Sequence, residues 1–86
     1  MARRQVTNSR KGYDGDILAV CNPEEFWSPR FKHDVIRDIE NKIHSYYVMV
    51  NGEQLEIFSE LKNGSKRLIT DREKLLNNKL EMLKDC

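Results

Sequence analysis

The feature that most constrains this chain is a short apolar run that ends at a clear break and leads into a helix signal. Residues 17–21 are continuously apolar over the length of one strand, which is typical of a strand buried on both faces. Asn22-Pro23 ends this strand, because proline has no N–H to donate to a sheet. Ser28-Pro29 then has the form of a helix start, with serine as N-cap and proline at the first helical position.

A stripe of apolar side chains at helical spacing follows this start and predicts a helix over residues 29–42. Trp27 precedes the helix, where its ring can close over the stripe. The helix therefore has one face that can pack against a sheet, and the members of that face are Phe31, Val35, Ile36, Ile39 and Ile43.

Strand and turn signals lie on both sides of the predicted helix. Residues 3–10 can form a polar strand anchored by Val6, and residues 11–16 contain the glycines and aspartates of a turn that joins it to the apolar strand. Residues 45–70 alternate polar and apolar side chains around two Asn-Gly turns, which predicts a three-stranded antiparallel meander. Residues 71–84 are compatible with a short helix, although two asparagines weaken its middle.

Together these signals predict a single α+β domain over residues 1–86. The expected fold is an antiparallel sheet of about five strands in the order β-β-α-β-β-β, with one central helix packed on a face. A short C-terminal helix is left open. Because so short a chain has only a small core, we expect a homo-oligomer.

Charge is nearly balanced over the chain but unevenly distributed along it. Fifteen Lys and Arg residues and fourteen Asp and Glu residues give a net charge of +1, which argues against a protein that simply coats nucleic acid. The first eleven residues hold four basic side chains and no acidic one, which leaves the rest mildly acidic. This segment is either an ordinary solvated strand or one that contacts phosphate. The basic residues in it are Arg3, Arg4, Arg10 and Lys11.

Cysteine and hydropathy patterns indicate which cellular compartment to expect and whether to expect a metal site. No apolar run has the length of a membrane span, and the N-terminus lacks the apolar core of a secretory signal, so we expect a cytoplasmic protein. In a reducing compartment we expect the thiols of Cys21 and Cys86 to be free, with Cys86 able to pack beside Cys21; whether they pair is left open. These cysteines, with His33 and His44, form no metal-binding spacing, so we expect neither a metal nor a cofactor.

No catalytic constellation stands out. Cys21, His33 and an aspartate could be assembled on paper, but neither Cys21 nor His33 lies in an activating motif, and no Gly-rich phosphate loop or HExxH is present. The carboxylates of Asp34, Asp38 and Glu40 have the spacing of a solvated helix face. We therefore expect a protein that is not an enzyme.

The first candidate for a binding site is the start of the predicted helix. Arg30, His33 and Arg37 are spaced to share one helix face, and Trp27 precedes them where free N–H groups favour an anion. An aromatic surface beside cationic donors suits a nucleotide, since the ring stacks on the base and the donors hold phosphate. In the alternative interpretation Trp27 belongs to the core, and the interleaved aspartates neutralise the basic side chains.

Two further surfaces are candidates. If the first and last strands meet, their basic residues form a cationic patch, to which the ring of Tyr13 could contribute; charges that protect an edge strand from aggregation are the alternative. Tyr46 and Tyr47 point to opposite faces of a strand, so one should lie in the core and the other at the surface or an interface. The basic residues of the patch are Arg3, Arg4, Lys66 and Arg67.

Motifs spread over nearly the whole chain carry a resemblance. They are Gly15-Asp16-Ile17, Cys21-Asn22-Pro23, Trp27-Ser28-Pro29-Arg30, Ile36-Arg37-Asp38-Ile39-Glu40, Tyr46-Tyr47-Val48, Leu68-Ile69-Thr70, Asn77-Asn78 and Asp85-Cys86. With them the chain resembles a small family of bacterial and phage proteins catalogued as domain of unknown function 3892. Residues 72–76 depart from the Gly-rich turn expected before the two asparagines. The resemblance implies no activity, and it implies a phage or mobile-element context.

Our leading hypothesis is a non-enzymatic anti-defence sponge that sequesters a small anionic ligand, such as a nucleotide or cyclic nucleotide immune signal, in an inter-subunit pocket. The step from phage context to sequestration is an analogy. One alternative is a nucleic-acid-binding accessory protein that uses the cationic patch, and another is a protein–protein module that blocks a host factor through the Tyr46/Tyr47 face. In the leading hypothesis Trp27 stacks on the base, Arg30 and Arg37 hold phosphate, and His33 donates a hydrogen bond.

Overall fold

The fold is a small α+β domain in which short strands surround one helix. A computed structural model describes residues 2–12, 16–50, 52–62, 64–70 and 83–86, and within these ranges eight strands form three small sheets. The helix is α1 (Lys32–Glu40). The strands are β1 (Ala2–Gln5), β2 (Asn8–Lys11), β3 (Ile17–Cys21), β4 (Arg30–Phe31), β5 (His44–Val50), β6 (Glu53–Glu56), β7 (Phe58–Lys62) and β8 (Ser65–Ile69).

The sheets have the orders β1-β5-β6, β2-β3-β4 and β7-β8. β1 runs parallel to β5, and the other pairs are antiparallel. The α+β class and the single central helix of the described residues confirm the prediction, whereas the one antiparallel sheet of about five strands is wrong.

The predicted polar strand is present, but it changes partner halfway along. Val6 N donates to Tyr47 O at 2.8 Å, and Thr7 N donates to Cys21 O at 2.9 Å. The first half of the segment therefore belongs to β5 and the second half to β3. Val6 is buried at this point, so the predicted apolar anchor holds the corner between two sheets.

The predicted meander is instead a pair of two-residue hairpins in different sheets. β5 and β6 are joined at Gly52, and β7 and β8 at Gly64, where φ values of +82° and +80° favour glycine. Both turn predictions are confirmed. Between the hairpins Ile57 is buried and donates its N–H to Tyr46 O at 2.9 Å. The chain bends there, which turns three expected strands into four.

The helix begins three residues later than predicted. Arg30 and Phe31 pair with Val20 and Ala19 as β4, and this pairing covers an edge of β3 that a helix start at residue 29 would leave open. Ser28 does not cap the helix, because its Oγ accepts a hydrogen bond from Asn22 N at 2.9 Å. The helix ends at residue 40 rather than 42.

The core lies between α1 and the sheets. Of the predicted stripe, Val35 and Ile36 are buried, whereas Phe31 and Ile43 lie beyond the helix ends and are exposed. β3 is buried as predicted except at Leu18. The core cluster consists of Val6, Ile17, Val20, Val35, Ile36, Tyr46, Val48, Ile57 and Leu68.

The C-terminal residues are fastened to the second sheet. Cys21 and Cys86 form a disulfide, so the expectation of free thiols is wrong. Lys84 pairs with Asn8 in a parallel β-bridge, and Lys11 Nζ donates to Leu83 O at 2.6 Å. Of the predicted C-terminal helix over residues 71–84, residues 71–82 lie outside the described residues, and Lys84 forms the β-bridge instead. Within the described ranges, the helix is too short and too polar to cross a membrane.

Candidate functional site

A cavity of about 150 Å³ lies between β1 and the loop that precedes β4. Within the described residues β1 is an edge strand, since β5 is its one strand neighbour. The loop follows the break after β3, where Asn22 holds the chain in place by donating its Nδ2 to Gln5 O at 3.0 Å. The cavity is lined by Ala2, Arg3, Arg4, Gln5, Glu25, Phe26 and Trp27.

Arg4 is the best-buried cation beside this cavity, with a side chain that is 11% exposed. Its Cζ lies 5.4 Å from the ring centroid of Trp27 and 5.7 Å from that of Tyr46, distances at which a guanidinium interacts with aromatic rings. The two rings meet edge to face at 5.8 Å. Arg4 Nη1 also donates to the Tyr46 hydroxyl at 2.9 Å. The guanidinium is therefore held in one position at the cavity wall.

A buried carboxylate supports Arg4 from behind. Asp38 accepts hydrogen bonds from Arg30 Nε at 2.8 Å and Arg30 Nη2 at 2.9 Å, and from the Tyr46 hydroxyl at 2.5 Å. Arg4 Nη1 lies 4.0 Å from the same carboxylate. The expectation of a solvated Asp38 is wrong, because this side of α1 faces Tyr46 and Arg30 in the interior.

Arg4, Arg30, Asp38 and Tyr46 form a cluster that contains two guanidinium groups and one carboxylate. Burial alone would raise the pKa of Asp38, but the hydrogen bonds from Arg30 and Tyr46 outweigh burial and hold that pKa below its ordinary value. Burial, and then the hydrogen bond to Asp38, raise the pKa of Tyr46. At neutral pH Asp38 is therefore ionised and Tyr46 neutral. Arg4 therefore shares the Asp38 carboxylate with Arg30, so the cluster holds one more positive than negative charge, and Glu25 is a further acid in the cavity lining.

Arg3 lies on the opposite face of β1 from Arg4, as the alternation of a strand requires. Its Cζ is 4.5 Å from the ring centroid of Tyr47, and its Nη1 donates to Glu56 at 2.7 Å. Tyr46 is buried while Tyr47 is half-buried, which confirms that the two tyrosines face opposite ways. Arg3 thus pairs with Glu56, whereas Arg4 shares the carboxylate of Asp38 with Arg30.

The predicted cationic helix face is only partly formed. Arg30 lies on β4, so it does not share a helix face with His33 and Arg37, and that prediction is wrong. Arg37 Nη2 donates to Asp34 at 2.9 Å, and His33 Nε2 lies 3.5 Å from the same carboxylate. Trp27 lines the cavity with Arg4, whereas His33 and Arg37 do not line it.

The strand cations are likewise spread over separate sheets. Lys66 and Arg67 lie on β8, and β1 belongs to another sheet. Lys66 Nζ forms an ion pair with Glu40 at 2.7 Å. Tyr13 lies outside the described residues.

Sequence reasoning missed the residue on which the cluster is built. Asp38 lies three positions after Val35 and one before Ile39, which places it on the apolar side of the helix. A carboxylate at such a position needs a partner, and this was the available signal. No protein-family model, curated protein or solved structure matches this chain. The resemblance to the uncharacterised phage-associated family therefore stays a prediction, and the site rests on its geometry.

Proposed function

We propose that this protein is a non-enzymatic binding protein for a small anionic ligand that carries an aromatic ring, with a nucleotide as the best-fitting class. The observation that carries the proposal is the Arg4 guanidinium, held between the rings of Trp27 and Tyr46 at a cavity wall, where it shares the Asp38 carboxylate with Arg30. A largely buried cation that shares its one acidic partner with a second arginine favours an anion, because little water screens it.

Arg4 would bind the phosphate of the ligand, and the aromatic side chains of the loop would contact its base. Arg4 uses Nη1 for Tyr46, and within the described residues its other N–H groups are left to donate to phosphate oxygens. Trp27 lines the cavity, and Phe26 stands at its rim with 91% of its surface exposed. Exposed rings of this kind stack on nucleobases. Arg4 thus replaces Arg30 and Arg37 as the phosphate-binding residue, since each of those already binds an aspartate.

The size of the cavity supports a pocket that one copy of the chain leaves incomplete. Its volume of about 150 Å³ is well below the range of about 300–1,000 Å³ that is usual for pockets enclosing a whole small molecule. A second copy that covers the exposed ligand would complete it, in line with the expected homo-oligomer. In the expected phage context and cytoplasmic setting, the protein would sequester a nucleotide immune signal.

The alternative functions have weaker support. Nucleic-acid binding would use a patch of four cations, but Arg3 and Lys66 form ion pairs with acids, and the strands that carry the patch lie in different sheets. The four cations are Arg3, Arg4, Lys66 and Arg67. A host-factor module would use the Tyr47 face, which the Arg3 side chain partly covers.

Native mass spectrometry with mono-, di- and cyclic nucleotides tests the proposal. We expect a discrete nucleotide adduct on the wild-type protein, and an affinity at least about tenfold lower for Arg4→Gln, because charge-assisted hydrogen bonds are lost. Arg37→Gln is the matched control, since it removes a surface arginine that also pairs with an aspartate, and it should bind normally. Phe26→Ala, at an exposed position, should weaken binding without unfolding. No adduct with any nucleotide, or equal binding by all variants, would overturn the proposal.

A further inference from the structure

We infer that the main-chain edge of β1 recognises the base of the ligand, so that the ligand is a nucleobase-containing phosphate rather than a sugar phosphate or a simple anion. This inference rests on the proposed function and deepens it. It depends on the direction of the backbone groups in β1, on the position of the cavity, and on its size.

The hydrogen bonds around β1 show which backbone groups point outward. Val6 N donates to Tyr47 O on β5, and successive residues of a strand point their N–H and C=O groups to alternate sides. Arg4 therefore faces β5, while Arg3 and Gln5 face away from it. The bond from Asn22 Nδ2 to Gln5 O, at 3.0 Å, lies on this outer side and agrees with the assignment.

The outward groups form a donor and an acceptor on the cavity side. Residues 2–5 all line the cavity, and in the described part of the chain no strand pairs with the outer edge of β1. Gln5 O is engaged by Asn22, so the carbonyl of Arg3 and the N–H of Gln5 are the neighbouring acceptor and donor on this edge. Backbone N–H and C=O groups are strong hydrogen-bonding groups, so this pair can bind a ligand that enters the cavity.

A nucleobase satisfies both groups at once. Its Watson–Crick edge carries a donor next to an acceptor, and proteins read unpaired bases by hydrogen bonds to that edge combined with stacking on aromatic rings. Adenine would donate its exocyclic amine to the Arg3 carbonyl and accept from Gln5 N–H through ring N1. Phosphate and sugar offer no such planar pair.

The volume of the cavity agrees with a base as its occupant. A void of about 150 Å³ is the size that admits a single benzene-like ring, and the cavity has this volume. The base would occupy the cavity. Arg4 would hold the phosphate, and the sugar would lie nearer the mouth of the cavity. An aromatic wall at Trp27 and an aromatic rim at Phe26 favour a flat occupant in the same way.

Gln5→Pro tests the backbone contact, because proline removes the outward N–H and leaves the β1–β5 bonds, which Arg4 and Val6 make. Gln5→Ala is the matched control that keeps the N–H. We expect wild type and Gln5→Ala to bind adenosine monophosphate at least about tenfold more tightly than ribose 5-phosphate, and Gln5→Pro to lose about tenfold for adenosine monophosphate alone. Circular dichroism checks that each variant is folded.

A ligand series makes the same test on the unaltered protein. Removing ring N1 (1-deazaadenosine monophosphate) or the exocyclic amine (purine riboside monophosphate) should each lower the affinity by about tenfold. If both analogues bind as tightly as adenosine monophosphate while ribose 5-phosphate binds more weakly and Arg4→Gln weakens them all, the base-edge inference is overturned and the proposed function stands. If wild type binds none of these ligands, both are overturned.

Discussion

Asp34 and Asp38 lie four residues apart on α1, and each is the acid of a basic–acidic cluster. The two clusters differ in burial. Asp34 pairs with Arg37 and lies near His33, and these two basic side chains are 59% and 80% exposed. Asp38 pairs with Arg30 and stands near Arg4, and its side chain is 2% exposed. In the first cluster solvent screens every charge. In the second cluster solvent screens the charges less, so they act on one another and on the cavity, which is why we propose a ligand site there.

The largest expected difference between the two clusters is in the free energy of unfolding that is lost when the carboxylate of each is removed. Asp38→Ala leaves two arginines near the core without their carboxylate, and we expect it to lower the free energy of unfolding by about 3 kcal/mol or more. Asp34→Ala should change it by about 0.5 kcal/mol or less, because its partners are solvated. Urea denaturation of both variants measures the difference. Equal effects would mean that Asp38 is not held as the structure places it.

Acid should remove the stability that the buried Asp38 cluster contributes. The pKa of Asp38 is lowered on folding, so its contribution to stability is complete above the unfolded value of about 3.9 and is lost as the pH falls through the lower folded value. In unfolding measurements between about pH 2 and pH 6, the free energy of unfolding of Asp38→Asn should fall less steeply with decreasing pH than that of wild type. A loss of stability in acid that is as steep for Asp38→Asn as for wild type would contradict this prediction.

The hydroxyl of Tyr46 tests whether the buried cluster positions Arg4. Tyr46→Phe removes the group that accepts from Arg4 and donates to Asp38, and we expect a loss of about 1–2 kcal/mol in unfolding free energy. Nucleotide affinity should fall as well, mainly for phosphate-bearing ligands over the free nucleoside. Tyr47→Phe is the control on the other face of β5. A loss of stability with unchanged phosphate preference would give Tyr46 a purely structural role.

The smallest expected effect concerns the acid that lines the cavity. Glu25 places a carboxylate near the anion, so Glu25→Gln should raise nucleotide affinity by about two- to fivefold at low salt, which is the scale of an exposed charge interaction. Glu24→Gln is the neighbouring control outside the cavity lining. Isothermal titration at two salt concentrations measures both variants. No gain in affinity for Glu25→Gln would place the phosphate farther from the loop.

Local patterns were sufficient for the elements that do not depend on distant partners. The strand over Ile17–Cys21, the central amphipathic helix and the turns at Gly52 and Gly64 were all predictable, because hydrophobic period and backbone preference act within a few residues. Trp27, Arg3 and Arg4 were named as binding candidates in two separate sites, and the structure places all three in the lining of one cavity. Their union into one site depends on β1 lying beside the loop that precedes β4.

The sequence by itself determined the class of fold, the order of most elements and the types of side chain available for an anion site. Tertiary structure decided where the strands change partner at Val6 and Ile57, since each corner depends on a neighbour far along the chain. It also decided that Arg30 lies on β4 rather than the helix, and that Asp38 is buried and not solvated. Burial depends on what packs over a residue from elsewhere in the chain, and burial is what makes one basic–acidic cluster a solvated surface pair and the other a weakly screened cluster beside a cavity.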